Sequence, residues 1–262
     1  MPVITISNQY GAGIEDVSDV LAALTGFRVI GKETIVKNLR NVVGEYLSEK
    51  FIAEQKPTFL DTYMYDMELW KGLISESLLF LSKEGKVILL GRGGSAILEN
   101  VSGILHVLLV GNKAKRVELI AERENISPLE AESKIDKIDK LKAGFWKYHF
   151  GIDWPNPENF DIVLNPISLG FEYSGNVLGS LTKTLDLVSA FKKKGRGVIE
   201  KRYVQVSAIN RVILSAGIGN ILFDLSVSGD KRIKIRFGDV PAELRKKAIA
   251  AVAGFHKDYT VN

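Results

Sequence analysis

Apolar and polar positions follow two rhythms along the chain. Short, nearly unbroken apolar runs occur at Val3–Ser7, Phe27–Ile30, Val87–Leu90, residues 104–111 (ILHVLLVG) and residues 160–166 (FDIVLNP). Runs of this length read as strands buried in a sheet. Between them, apolar residues recur every three or four positions. Ile14–Thr25 carries Val17, Val20, Leu21 and Leu24 on one face and stops at Gly26. Lys32–Glu49 carries Ile35, Leu39, Val42, Val43 and Tyr46. Further helices are expected over residues 63–83, over Ser95–Glu99, within 112–151 with a break near Ser127 and Pro128, and over Gly175–Phe191. Residues 50–62, interrupted by Pro57, read as irregular. Strands alternating with helices predict an α/β fold with a parallel sheet under helices.

The pattern changes at residues 192–197 (KKKGRG), which are charged and carry no apolar period. Beyond them come a helix from Tyr203 to Ala216, strands over 221–227 and 232–238, a helix over Pro241–Ala253 and a short strand at DYTV. Gly229 and Asp230 lie between two alternating runs, the signature of a hairpin. Pro241 suits a first helical turn, where its missing N–H leaves nothing unpaired. The expected organisation is one large α/β domain (1–191), a basic linker (192–202) and a small α-β-β-α-β domain (203–262).

Composition narrows the class. Of 262 residues, 46% are apolar and 25% charged, enough to build a sizeable core. With no cysteine, disulfides and thiolate metal sites are excluded. No long apolar span occurs, and the chain opens directly into a strand without a basic leader, so the expectation is a cytoplasmic protein. The net charge of +4 hides an asymmetry: residues 1–191 sum to −5 and residues 192–262 to +9. A basic tail suits an anionic partner, whether nucleic acid, an anionic surface or an acidic neighbour.

Three constellations carry candidate chemistry. The first is QYGAGIED, between a strand and a helix. Amides at a helix start converge on anions, and glycines let the backbone approach closely. Gly11, Ala12, Gly13 and Ile14 therefore form a candidate phosphate loop. It lacks the lysine such loops keep, and Glu15 and Asp16 follow instead. Taken alone, the stretch reads equally as a structural turn. The second is GRGG at residues 91–94, directly after a buried strand, where Arg92 is placed to clamp a phosphate. The third is a basic series that includes Lys113, Lys115, Arg116, Arg123 and Lys142. Such a series supplies cations for phosphoryl transfer or forms an ordinary solvated face. The three histidines are scattered without metal spacing.

Taken together, these segments resemble the cytidylate kinase-like family, over about Val3 to Asp186. The opening VITISNQYGAG, the run GKETI (31–35) and GRGG contribute. The longest match is KAGFWKYHFGIDWPNPENFDIVLNPISLG, residues 142–170. The resemblance implies a P-loop kinase-like fold and transfer of the ATP γ-phosphoryl group to CMP or a related acceptor, with Mg2+. By position, it implies that Gly11–Ile14 cradle donor phosphates and that Arg92 holds the acceptor. Arg116, Arg123, Asp139 and Lys142 would line the lid region. The chain departs from the family pattern at Ile14-Glu15-Asp16, at Gly93 where relatives carry an acid, and at Lys142 where they carry arginine. Those departures keep a second reading open, a catalytically degenerate nucleotide-binding regulatory protein. Residues 203–262 resemble a BON domain in pattern, which implies a regulatory, ligand-binding or oligomerising role.

Overall fold

The computed structural model describes residues 2–43, 67–184, 187–216, 223–238 and 240–262. Tyr46, the stretch 50–62 with Pro57, and the start of the helix expected from residue 63 lie outside the described residues. The chain divides into two compact units. One comprises Met1–Lys56 and Leu81–Arg196, the other Pro57–Phe80 and Gly197–Asn262.

The first unit is built on five parallel strands: β1 (Val3–Asn8), β2 (Arg28–Ile30), β3 (Val87–Leu90), β4 (Ile104–Leu109) and β5 (Ile162–Leu164). Their order is β2-β3-β1-β4-β5. Thr5 on the central strand lies level with Leu89 on one side and His106 on the other. Successive residues of a strand face opposite sides, and β1 divides accordingly. Ile4 and Ile6 join Ile88, Leu105, Val107 and Leu109 on an apolar face. Thr5, Ser7 and His106 fall on the other face, where Thr5 Oγ1 and His106 Nδ1 are 2.8 Å apart. There the Trp154 indole N–H donates to Ser7 Oγ at 3.1 Å.

Helices α1 (Ile14–Thr25) and α8 (Phe171–Thr184) cover the apolar face. They approach closely because α8 presents glycine: a Cβ on Gly175 would stand 2.5 Å from Val20. The remaining helices of this unit are α2 (Lys32–Val43), α4 (Gly94–Ile97), α5 (Lys113–Glu124), α6 (Pro128–Phe150), α7 (Pro166–Leu169) and α9 (Leu187–Ala190). The expected break before Pro128 is a capping box: Ser127 accepts from the Glu130 amide, and Glu130 reaches back to the Ser127 amide. A parallel sheet flanked by helices is the architecture the resemblance implies.

The charged stretch read as the joint between domains is helical, and the boundary between the two units falls within it. Residues Phe191–Gly195 form a π-helical turn that runs directly into α10 (Arg196–Ala216). Burial explains this. Phe191 is in the core, and a Cβ on Gly195 would meet the Ser102 carbonyl at 2.0 Å, while Lys192, Lys193 and Lys194 face solvent.

The second unit holds most of α3 (Met67–Ser82) together with α10, β6 (Phe223–Val227), β7 (Arg232–Phe237), α11 (Ala242–Phe255) and β8 (Thr260–Val261). Its sheet runs β6-β7-β8, with the first pair antiparallel and the second parallel. Ile233 and Ile235 of β7 pack with Val204, Ala208 and Val212 of α10 and with Ala248 and Val252 of α11. The alternate residues Arg232, Lys234 and Arg236 are exposed. In α3, the buried Glu76 accepts from Asn210 at 2.7 Å and from Arg211 at 2.9 Å. Burial raises the Glu76 carboxyl above its ordinary pKa, against the pull of Arg211 and Asn210. No described helix is long and apolar enough to cross a membrane.

Candidate active site

In an open parallel sheet, ligands gather beyond the carboxyl ends of the strands, where the strand order reverses. Here that point is β1, with β3 on one side and β4 on the other. Beyond Asn8 the chain makes a tight turn in which the Ala12 amide donates to the Gln9 carbonyl at 3.0 Å. Gln9 ties the turn to β4: its amide donates to the Leu109 carbonyl, and its side-chain oxygen accepts from the Gly111 amide. Gly11 and Gly13 have φ of 82° and 75°, values that side-chain-bearing residues rarely adopt. Space also demands glycine at position 13, where a Cβ would fall 2.3 Å from the Phe171 ring.

Gly13 is the N-cap of α1 and no side chain caps the helix. The first amides of a helix have no partner within it, so they remain available to an anion. Ile14 points into the apolar core with Ala12, Val17 and Leu21. Glu15 is exposed. Asp16 turns toward Arg123, whose guanidinium donates to both carboxylate oxygens at 3.2 and 2.9 Å. The two acids of the first turn therefore do not fold over the glycines in the way a capping side chain would.

Helices α5 and α6 hold the turn from the side. The Arg116 side chain is only 6% exposed. Its Nη1 donates to the Tyr10 carbonyl at 2.9 Å and to Asp139 at 2.6 Å, and its Nε donates to the Gly111 carbonyl at 3.1 Å. Asp139 in turn accepts from the Tyr10 amide at 2.8 Å. The Tyr10 hydroxyl donates to Glu124 at 2.6 Å, and Glu124 is also bonded to Lys134. Burial, then the Glu124 carboxylate, raises the Tyr10 pKa, while the bonds from Lys134 and Tyr10 lower that of Glu124. One residue of the turn is thus fixed at its amide, its carbonyl and its side chain. Lys142 donates to the carbonyl and side-chain oxygen of Asn8 at 2.9 and 2.8 Å, and stands 5.9 Å from the Trp154 ring centre.

Arg92 sits in a second turn, beyond β3. Gly91, Arg92 and Gly93 all have positive φ, and the Gly91 amide donates to the Ile6 carbonyl of β1. A Cβ on Gly93 would meet the Phe150 ring at 2.4 Å, so no acidic side chain fits there without moving the end of α6.

Sequence-based candidates Gly11, Ala12, Gly13, Ile14, Arg116, Arg123, Asp139 and Lys142 therefore gather about one turn, with Arg92 beyond the neighbouring strand. Arg116 and Asp139 hold the turn itself, Lys142 holds Asn8 at the end of β1, and Arg123 is paired with Asp16. Gln9, Tyr10 and Phe150 lie inside motifs read from the sequence but carry no assigned role there, and neither Glu124 nor Phe171 is a sequence-based site candidate. Beside Phe171 lies a cleft of about 240 Å³ lined by Lys115, Leu119, Pro166 and Ile167 among others. Among the described residues, no group of three or more His, Cys, Asp or Glu could hold a metal ion.

Residues 3–166 match the cytidylate kinase-like family. A cytidylate kinase of Ignicoccus hospitalis is 24% identical over 173 residues, covering 66% of this chain and 94% of that one. A cytidylate kinase of Methanothrix thermoacetophila is 26% identical over 164 residues, covering 62% and 87%. Among solved structures, an uncharacterized protein from Eubacterium ventriosum is similar with a TM-score of 0.55 at 14% identity, over 70% of this chain and 99% of that one.

Proposed function

The chain belongs to the cytidylate kinase-like family, and from that premise we propose that it transfers the γ-phosphoryl group of ATP to a nucleoside monophosphate, with CMP as the acceptor. The observation that carries this reading is the uncapped start of α1 behind two left-handed glycines, with Arg92 beyond the adjacent strand. In this reading the amides of residues 13–16 take the donor phosphates. Magnesium enters with the nucleotide as MgATP, since this ion is commonly held by phosphates and water with few protein ligands. Arg92 holds the phosphate of the acceptor. An acceptor phosphate oxygen attacks the γ-phosphorus, the bond to the β,γ-bridging oxygen breaks, and ADP and a nucleoside diphosphate leave.

The cations divide by burial. Arg116 is a positioning residue, because leaving Tyr10 and Asp139 would strand buried polar groups. Asp139 and Lys142 act through the same turn. Arg123 is exposed and can exchange Asp16 for a phosphate at small cost, since exposed pairs contribute little. The donor base fits the cleft beside Phe171, between Lys115 and Ile167.

A second reading has its own observation. Ile14 is buried where a loop lysine would reach phosphate, and Arg116, Arg123 and Lys142 already have protein partners. It describes a nucleotide-binding regulatory protein without turnover, whose second unit serves as a BON-like ligand or partner module. Coupled ADP release across a panel of nucleoside monophosphates, alongside calorimetry with MgATP, separates the two. Turnover with CMP is expected. Binding without turnover on any acceptor selects the second reading, and absence of both overturns both.

A further inference from the structure

A second cleft opens in the first unit, toward the amino end of β4, on the sheet face opposite α1. Its volume is about 330 Å³. The turn after α4 and the segment before β5 form its sides. Val101, Ile104 and Trp146 are buried and make an apolar floor. Ser95 lines the same cleft and is 6% exposed, yet its hydroxyl oxygen has no hydrogen-bond partner. A buried hydroxyl left unpaired is costly and marks a place for a group that is not part of the chain.

The rim has one sign of charge. Glu99, Glu158 and Asp161 line the mouth and are exposed. Asp161 is held in place by the His106 amide, which donates to one of its oxygens at 2.7 Å. His106 also lines the cleft. Its Nδ1 is bonded to Thr5, and burial lowers its pKa, so it presents a neutral ring at neutral pH. The combination of an apolar aromatic wall, one unpaired hydroxyl and a rim of carboxylates excludes phosphate. It suits a ligand with an apolar body and a positive head. We propose that this cleft binds a small organic cation, a protonated amine at the carboxylate rim with its apolar body against Trp146 and a polar atom near Ser95.

The location separates this site from phosphoryl transfer, which uses the carboxyl ends of the strands.

The test is calorimetry on the full chain without nucleotide, so its outcome does not depend on the kinase reading. The probes are phenethylamine, the neutral 2-phenylethanol and the anionic 3-phenylpropionate. Phenethylamine is expected to bind saturably at one site, the alcohol more weakly, and the acid not at all. The Glu158→Gln/Asp161→Asn variant keeps the side-chain shapes and removes two charges; it is expected to weaken amine binding about tenfold or more. Asp161→Asn alone serves if the double variant does not fold. Ser95→Ala is expected to raise the melting temperature of the free protein, because it removes the unpaired hydroxyl. Absence of saturable amine binding, equal binding of the neutral alcohol, or unchanged amine affinity in the charge-neutral variants overturns the proposal.

Discussion

A Cβ on Gly13 would stand 2.3 Å from the Phe171 ring, at a backbone φ of 75°. Gly13→Ala therefore incurs backbone strain of about 1–2 kcal/mol plus a ring displacement. Urea unfolding should show the full loss in the parent background, and in a Phe171→Ala background the same Gly13→Ala change should cost less by the ring part only. His106 makes a second prediction at this scale. Burial lowers its pKa in the folded state, against the pull of Asp161 and Glu99. As pH falls below about 6.5, the unfolded chain takes up the proton first, so stability falls through that window toward the folded pKa. His106→Asn should lose less stability than the parent between pH 7.5 and 5.5, read from urea midpoints. Legibility at this scale was uneven. The glycines could be read because a left-handed turn has few alternatives in residue type. The role of Arg116 could not, because an arginine on a helix after a strand suits a phosphate and a buried carbonyl equally, and only its burial distinguishes them.

The hairpin of α5 and α6 acts on the β1 turn through two contacts of different kind. Arg116 and Asp139 form a mostly buried pair, so Arg116→Met should destabilise by about 3 kcal/mol or more, because it leaves Asp139 and the Tyr10 carbonyl without their donor. The exposed pair of Arg123 and Asp16 should change stability by less than about 1 kcal/mol when either partner is neutralised. In the proposed kinase reading, its effect falls on nucleotide binding. Asp16→Asn should tighten MgATP binding and Arg123→Gln should weaken it about tenfold, measured by calorimetry at fixed salt. Opposite signs from two partners of one pair would be unexpected of a purely structural contact. The break before α6 was readable from Ser127, Pro128 and Glu130, which cap locally. The start of α8 at Phe171, rather than Gly175, was not, since Phe171 is placed by its contact with Gly13, far away in the sequence.

At the scale of the whole molecule, the alternation of strands and helices made the α/β sheet legible, and the β7 pattern made the small second sheet legible. Membership of α3 in the second unit was not, because an apolar helical face does not say which partner covers it. Gly72 and Asn210 record that membership: a Cβ on Gly72 would lie 2.2 Å from the Asn210 oxygen. Gly72→Leu should lower hydrogen-exchange protection in 67–80 and in α10 and α11 together, with β1 and β4 retaining theirs. Loss confined to α3 would count against a cooperative unit. This arrangement also bears on how the chain is made. Synthesis runs from the amino end, so α3 leaves the ribosome well before α10, and its covering face must wait for over a hundred further residues. During that interval the nascent protein carries an apolar helix without its α10 partner, which adds an aggregation hazard to elongation that the finished fold does not have.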